Sequence, residues 1–313
     1  MIGLLEIVLP IFAVVLAGWI VGRFEIIKGD RVNGLADFTF FIAIPALMFR
    51  SVVRNIHWQT LDPGVLIAYF GSGLGVYAVA MVIGLRVFRM RLEEAAMLGL
   101  ACTFGNSVQL GIPVVVRSFG ETGLVPLMLI ISFHAMILIG LTTVLIEIAR
   151  GRGGGAKAAA IQSAKGAAKN PIIVAMMTGL AWAALGLDLP RLADDFLVLL
   201  GASGIPCALF ALGAQLARFR LAGSLGPTAV ILVLKLVALP GLVWLMAEPL
   251  GLTAETAGVA ILAAGLPTGA NVFVLASRYR VYEAPVVSSV VISTVLSIGT
   301  VTALIGWLGP LRS

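Results

Sequence analysis

Charge is what this sequence has least of: 12% of its 313 residues are Asp, Glu, Lys or Arg, about half the share of an ordinary soluble domain. With 60% of the chain apolar, there is too little polar surface to cover a soluble core, and a soluble enzyme is excluded. Cysteine is nearly absent. Cys102 and Cys207 both sit in apolar segments, which leaves no disulfide framework and no Cys-rich metal centre, and assigns both thiols to packing. There is no HExxH motif, no pair of membrane aspartates and no Ser-His-acid set, so no metal, cofactor or catalytic residue is expected. Lys and Arg outnumber Asp and Glu by 21 to 15. That excess lies between apolar segments rather than on one polar face, which excludes a nucleic-acid partner.

What is present is a series of apolar segments of roughly 20 residues, the length that crosses a ~30 Å hydrocarbon core at 1.5 Å per residue. Spans are expected at about 4 to 22, 34 to 53, 64 to 86, 94 to 116, 123 to 147, 170 to 187, 196 to 217, 227 to 247, 256 to 277 and 286 to 308. The chain reads as an all-α polytopic protein of the plasma (inner) membrane. Glu6 stands where a signal peptide would carry positive charge, so the first span is expected in the mature protein. Alternate junctions carry fifteen and five Lys or Arg. By the positive-inside rule both termini are expected outside the cytoplasm.

The longest junction, residues 150–169, is rich in Gly, Ala and Lys and reads as a cytoplasmic linker between two halves, 1–149 and 170–313. An offset of 161 residues superposes Pro10 on Pro171, Gly18 on Gly179, Ile44-Pro45 on Ile205-Pro206, Phe49 on Phe210 and Glu94 on Glu255. Five spans per half is the parity of an inverted repeat, an architecture common among secondary transporters. The matched Pro45 and Pro206 are expected to kink the second span of each half.

Helix breakers concentrate in the fourth span at Gly105, Gly111 and Pro113, and in the ninth at Gly265, Pro267 and Gly269. The same offset carries 105 to 266 and 106 to 267, which puts the two interruptions at the same place in the repeat. A break inside the bilayer frees N–H and C=O groups that must face protein or water. Each half-helix that starts after a break turns a positive dipole end toward a solute, which suits a carboxylate. Asn106 and Asn271 add carboxamides able to donate and accept. The bland alternative is a pair of kinks satisfied by neighbouring helices. GSGLG at Gly71 to Gly75 lies inside a span and is expected to serve close helix packing rather than a nucleotide.

Gly105-Asn106-Ser107 with Gly111-Ile112-Pro113, Ile44-Pro45-Ala46-Leu47, and Leu266-Pro267-Thr268-Gly269 followed by Phe273 and Tyr279 resemble the auxin efflux carrier family over nearly the whole chain. The resemblance implies a sodium/proton antiporter-like, bile-acid-symporter-like fold of ten helices in two inverted halves. It implies scaffold helices 1, 2, 6 and 7 that form a homodimer, and a transport domain of helices 3 to 5 and 8 to 10 whose broken helices 4 and 9 cross at the substrate. It also implies elevator-type alternating access for a small organic anion such as malate, malonate or an auxin-like acid. Asn106 matches the family's asparagine at the crossover, Pro267 its helix 9 proline, and His134 a polar lining position. This sequence departs from the plant pattern at Gly105, where plant members have proline, and in the third span, where Tyr69, Ser72 and Tyr77 occur without an acid.

The substrate-contact candidates are Asn106, Ser107, Gln109, His134, Lys235, Pro267, Thr268 and Asn271. His134, with an ordinary pKa of about 6.5, is expected either to bind a carboxylate or relay a proton, or to be a neutral group bonded to a neighbouring helix. Lys235 lies deep in the eighth span, where its charge costs about 3 kcal/mol on insertion scales; snorkelling toward the surface is the alternative. His57 reads as an interface residue beside Trp58. No span has a midplane Asp or Glu, which disfavours a cation/proton antiporter. A ligand-binding receptor or regulatory subunit without transport stays open as the second function class.

Overall fold

The computed structural model describes residues 2–55, 62–150, 168–219 and 225–309 and positions 158, 161 and 165, with side chains from Val8 onward and without that of Asn55. His57, Trp58, the Glu6 side chain and most of the 150–169 junction therefore lie outside the described residues. The described chain is helical throughout. We name α1 (Ile2–Arg23), α2 (Gly29–Arg54) and α3 (Gly64–Arg86), α4 (Leu92–Thr103), α5 (Ser107–Phe119) and α6 (Leu124–Ala149), and α7 (Pro171–Ala184). There follow α8 (Arg191–Leu216), α9 (Leu225–Ala247), α10 (Ala254–Ala264), α11 (Ala270–Tyr279) and α12 (Glu283–Leu308).

Six of these, α2, α3, α6, α8, α9 and α12, are long and apolar enough to cross a membrane; α1, α5, α7 and α10 contribute shorter apolar stretches. The helices start where the sequence supplies starts. Asn170 accepts the Ile172 N–H at 2.9 Å ahead of Pro171 at the first helical position. Glu94 accepts the Arg91 N–H at 2.9 Å, and Thr253 accepts the Thr256 N–H at 3.3 Å. Acidic first turns on α4 and α10 complement the positive ends of those helices.

Several helices carry a wide π turn: Thr39–Ala43, Ile67–Gly71, Ser107–Gly111, Ala135–Ile139 and Leu234–Ala238. Three of them end two residues before a proline, at Pro45, Pro113 and Pro240. A proline ring clashes with the carbonyl four residues back and has no N–H to give. Widening the preceding turn removes the clash and keeps the helix running. Gly111 and Pro113 are accordingly helical, and the interruption of the fourth span is confined to residues 104 to 106. Pro45 follows such a turn inside α2, whereas Pro206 lies within the unbroken α8.

The chain forms two compact units. Unit 1 is Met1–Asp62, Val108–Met128 and Ala168–Phe219. Its centre is a close crossing of α1 and α8, because a Cβ at Gly18 would overlap the Phe210 carbonyl oxygen and one at Gly213 the Val15 carbonyl oxygen. Without side chains there, the backbones approach and dispersion contacts hold them, the means of association that lipid leaves available. At one end of this unit Arg50 donates from Nε to Asp194 at 2.8 Å and pairs with Glu121 at 3.1 Å, while Arg54 reaches the second Asp194 oxygen at 2.8 Å.

Unit 2 is Pro63–Ser107, Leu129–Ala167 and Arg220–Ser313. It holds α3, α4, the larger part of α6, and α9 to α12. Tyr77 anchors α3, its hydroxyl donating to the Ala96 carbonyl at 2.9 Å and meeting Thr142 at 2.9 Å. The glycines of GSGLG do not serve close packing among the described residues: a Cβ at Gly71, Gly73 or Gly75 meets nothing within 4 Å. Close backbone approach is instead served by glycines of α1 and α8 such as Gly18 and Gly213. Cys102 is buried and Cys207 half-buried, and neither forms a disulfide.

Candidate functional site

Within unit 2, Phe104 to Asn106 separate α4 from α5, and Gly265 to Gly269 separate α10 from α11. The two gaps run antiparallel and share a single β-bridge, Gly105 with Thr268. Asn106 N–H donates to the Pro267 carbonyl at 2.9 Å, and Gly269 N–H donates to the Phe104 carbonyl at 2.9 Å. Each break thus satisfies part of the other, which meets the bilayer's demand that freed backbone groups find partners. The residue types follow from the geometry. Proline serves at 267 because that position offers its carbonyl and needs no N–H. Glycine serves at 269 because a Cβ there would lie 3.1 Å from both the Gly105 carbonyl oxygen and the Phe104 ring.

Thr268 ties the crossing to two more helices. It is fully buried; its N–H donates to Ser293 Oγ on α12 at 3.0 Å, and its hydroxyl donates to the Ala101 carbonyl near the end of α4 at 3.0 Å. The Thr103 hydroxyl takes the Gly99 carbonyl at 2.9 Å. Hydroxyls therefore cover carbonyls at the negative end of α4. The matching end of α10 is covered by a lysine side chain. The Lys235 side chain is 0% exposed, and its Nζ donates to the Ala264 carbonyl. A Cβ on Gly105 would lie 3.4 Å from that Nζ, so the ammonium stands beside both breaks. Lys235 does not snorkel.

A second cluster adjoins the first break. His134, 4% exposed, has Nε2 3.3 Å from the Tyr69 hydroxyl and Nδ1 3.5 Å from Ser107 Oγ. Phe104 stacks on its ring, with centroids 4.2 Å apart and planes 3° from parallel. Both ring nitrogens have hydroxyl partners that either donate or accept, so the imidazole is held whichever nitrogen bears the proton. Tyr69, Ser107 and Lys235 lie in π turns, and His134 immediately precedes one. An extra residue per turn re-aims the side chains that follow, a device frequent at functional sites.

The structure brings Asn106, Ser107, His134, Lys235, Pro267 and Thr268 together in unit 2, all of them buried. Asn271, also in unit 2, is exposed near the start of α11. Gln109 belongs to unit 1, where its Nε2 donates to Gln215 Oε1 at 3.4 Å. Sequence reasoning missed Gln215 and Ser293. The density of Ser and Thr in α12 was legible, but which hydroxyl meets the crossing depends on a partner 25 residues away. Among the described residues no group of His, Cys, Asp and Glu has the arrangement of a metal site.

Helix ends of both signs meet in unit 2. The negative ends of α4 and α10 are covered by hydroxyls and by Lys235, the positive end of α11 starts at the second break, and the Asp and Glu residues of the unit 2 helices are confined to their first or last turns. The uncovered positive end of α11 favours an anion.

The family model described as "Membrane transport protein" matches residues 4–305. A Rhizobium meliloti protein named "Putative malonate transporter" is 31% identical, covering 96% of this chain and 94% of its own. "Auxin efflux carrier component 8" of Arabidopsis thaliana is 22% identical with 94% of each chain covered. A mouse protein named "Lysosomal cholesterol signaling protein" is 26% identical over 92% of this chain, which spans 36% of that longer protein.

Proposed function

The chain belongs to the membrane transport protein family, that of the auxin efflux carriers, and on that premise we propose that it is a secondary carrier of a small organic anion such as malonate, malate or an auxin-like acid. The observation that carries this reading is the antiparallel bridge between two interruptions, residues 104–106 and 265–269, within one compact unit, with the start of α11 and the Lys235 side chain beside it. Substrate would bind at the start of α11, where Asn271 is exposed, with Asn106 and Ser107 at the facing start of α5. The name of the Rhizobium relative supports a dicarboxylate.

The proposal includes the ten-helix inverted repeat, with helices 3 to 5 and 8 to 10 moving as an elevator against the scaffold of helices 1, 2, 6 and 7. It includes a homodimer through that scaffold, and both termini outside the cytoplasm of the inner membrane, as the fifteen-to-five charge asymmetry supports. Moving the bound anion between faces needs no acidic residue, and the spans supply none at mid-depth.

Purified protein in liposomes is expected to exchange external labelled malonate for internal unlabelled malonate. Asn271→Ala should raise the KM of that exchange with little change in unfolding temperature. Absence of exchange across mono- and dicarboxylates, in protein that still unfolds cooperatively, would overturn the reading. The mouse relative named for signalling favours one alternative, a ligand-binding protein without flux; saturable malonate binding without exchange would establish it.

A further inference from the structure

Lys235 does more than cap a helix. It is fully buried, its Nζ is bound to the carbonyl that ends α10, and it stands within contact range of Gly105 in the other break. Among the described residues it takes part in no ion pair. Its compensation comes instead from the negative end of α10, where a cation is favoured. A dipole offsets part of the cost of a charge there without neutralising it, so a protonated Lys235 adds one net positive charge to the unit. Because Lys235, both breaks and Asn271 belong to the same compact unit, whatever carries the anion carries this charge with it.

We propose that the Lys235 ammonium is a resident counter-charge of the anion site, so that the unit loaded with a monovalent carboxylate crosses the membrane field electrically neutral. The inference rests on the carrier reading above. Three consequences follow by charge counting. Loaded with a monoanion, the moving unit carries +1 and −1, and the field does no work on it. Loaded with a dianion, it carries one net negative charge. Empty, it returns with one positive charge, so the field acts on the return step of net monoanion transport. Lys235 takes the part that a co-transported cation plays elsewhere, and it never leaves.

The test is exchange of labelled anion in liposomes whose membrane potential is set with potassium and valinomycin. At 100 mV, one elementary charge crossing the full field is worth about 2.3 kcal/mol, a bias of about 50-fold. For the unaltered protein we expect monocarboxylate exchange to be the same at zero and 100 mV and malonate dianion exchange to slow several-fold. Lys235→Met should transfer the voltage dependence to the monocarboxylate, and Lys235→Arg should restore its insensitivity. Monocarboxylate exchange in the unaltered protein that slows with voltage as much as dianion exchange would overturn the proposal, as would a Lys235→Met profile identical to the parent. The comparison of mono- and dianion in the parent protein stands even where Lys235→Met fails to fold. Lack of all exchange overturns the carrier reading, and the resident charge with it.

Discussion

Thr268 shows how one side chain holds the crossing in place. Its hydroxyl donates to the Ala101 carbonyl and its N–H to Ser293 Oγ, at a position with no exposure. Thr268→Val keeps the shape and removes the hydroxyl, leaving a buried carbonyl without its donor at a cost of about 1–3 kcal/mol. The expected result is a lowered unfolding temperature in detergent and slower exchange; Thr268→Ser, which retains the hydroxyl, should recover most of both. His134 is held as firmly, between Tyr69, Ser107 and the Phe104 ring. That packing favours a positioning role over a proton relay, since the ring meets side chains on both nitrogens and one face. His134→Gln is therefore expected to destabilise the protein and slow exchange while leaving the shape of its pH profile unchanged. A flattened profile would restore the relay.

Among the elements, the crossing of α1 and α8 is the most sharply constrained. Gly213→Ala would drive a methyl into the Val15 carbonyl oxygen, and overpacking of this kind costs about 1–3 kcal/mol. A lowered unfolding temperature is expected for Gly213→Ala, against an equal or slightly raised one for Gly75→Ala, whose added Cβ meets open space in a helix interior. The same pair shows what the sequence could and could not reveal. Composition marks both glycines equally, and only the partner helix decides which one is crowded. The interruptions at 104–106 and 265–269 were legible because Gly and Pro act locally on the backbone. The π turns were not, because a widened turn is a compromise between a proline and the carbonyls behind it and leaves no periodicity of its own. The direction of Lys235 was equally hidden, since its acceptor is the Ala264 carbonyl, supplied by a helix end 29 residues away.

At the scale of the molecule, the apolar segments announced a polytopic helical protein, and the described helices lie on those segments. On the proposed function, an anion occupies the space in front of the helix that starts after the second break. Ala270, half-exposed in the first turn of α11, lies at that point. The measurement is the rate at which a water-soluble maleimide modifies Ala270→Cys in protein lacking Cys102 and Cys207, with and without malonate. Malonate is expected to slow modification in a saturable way, with half-protection near the KM of exchange measured on the same variant. Modification that proceeds at one rate at every malonate concentration, in protein that still exchanges malonate, would contradict it.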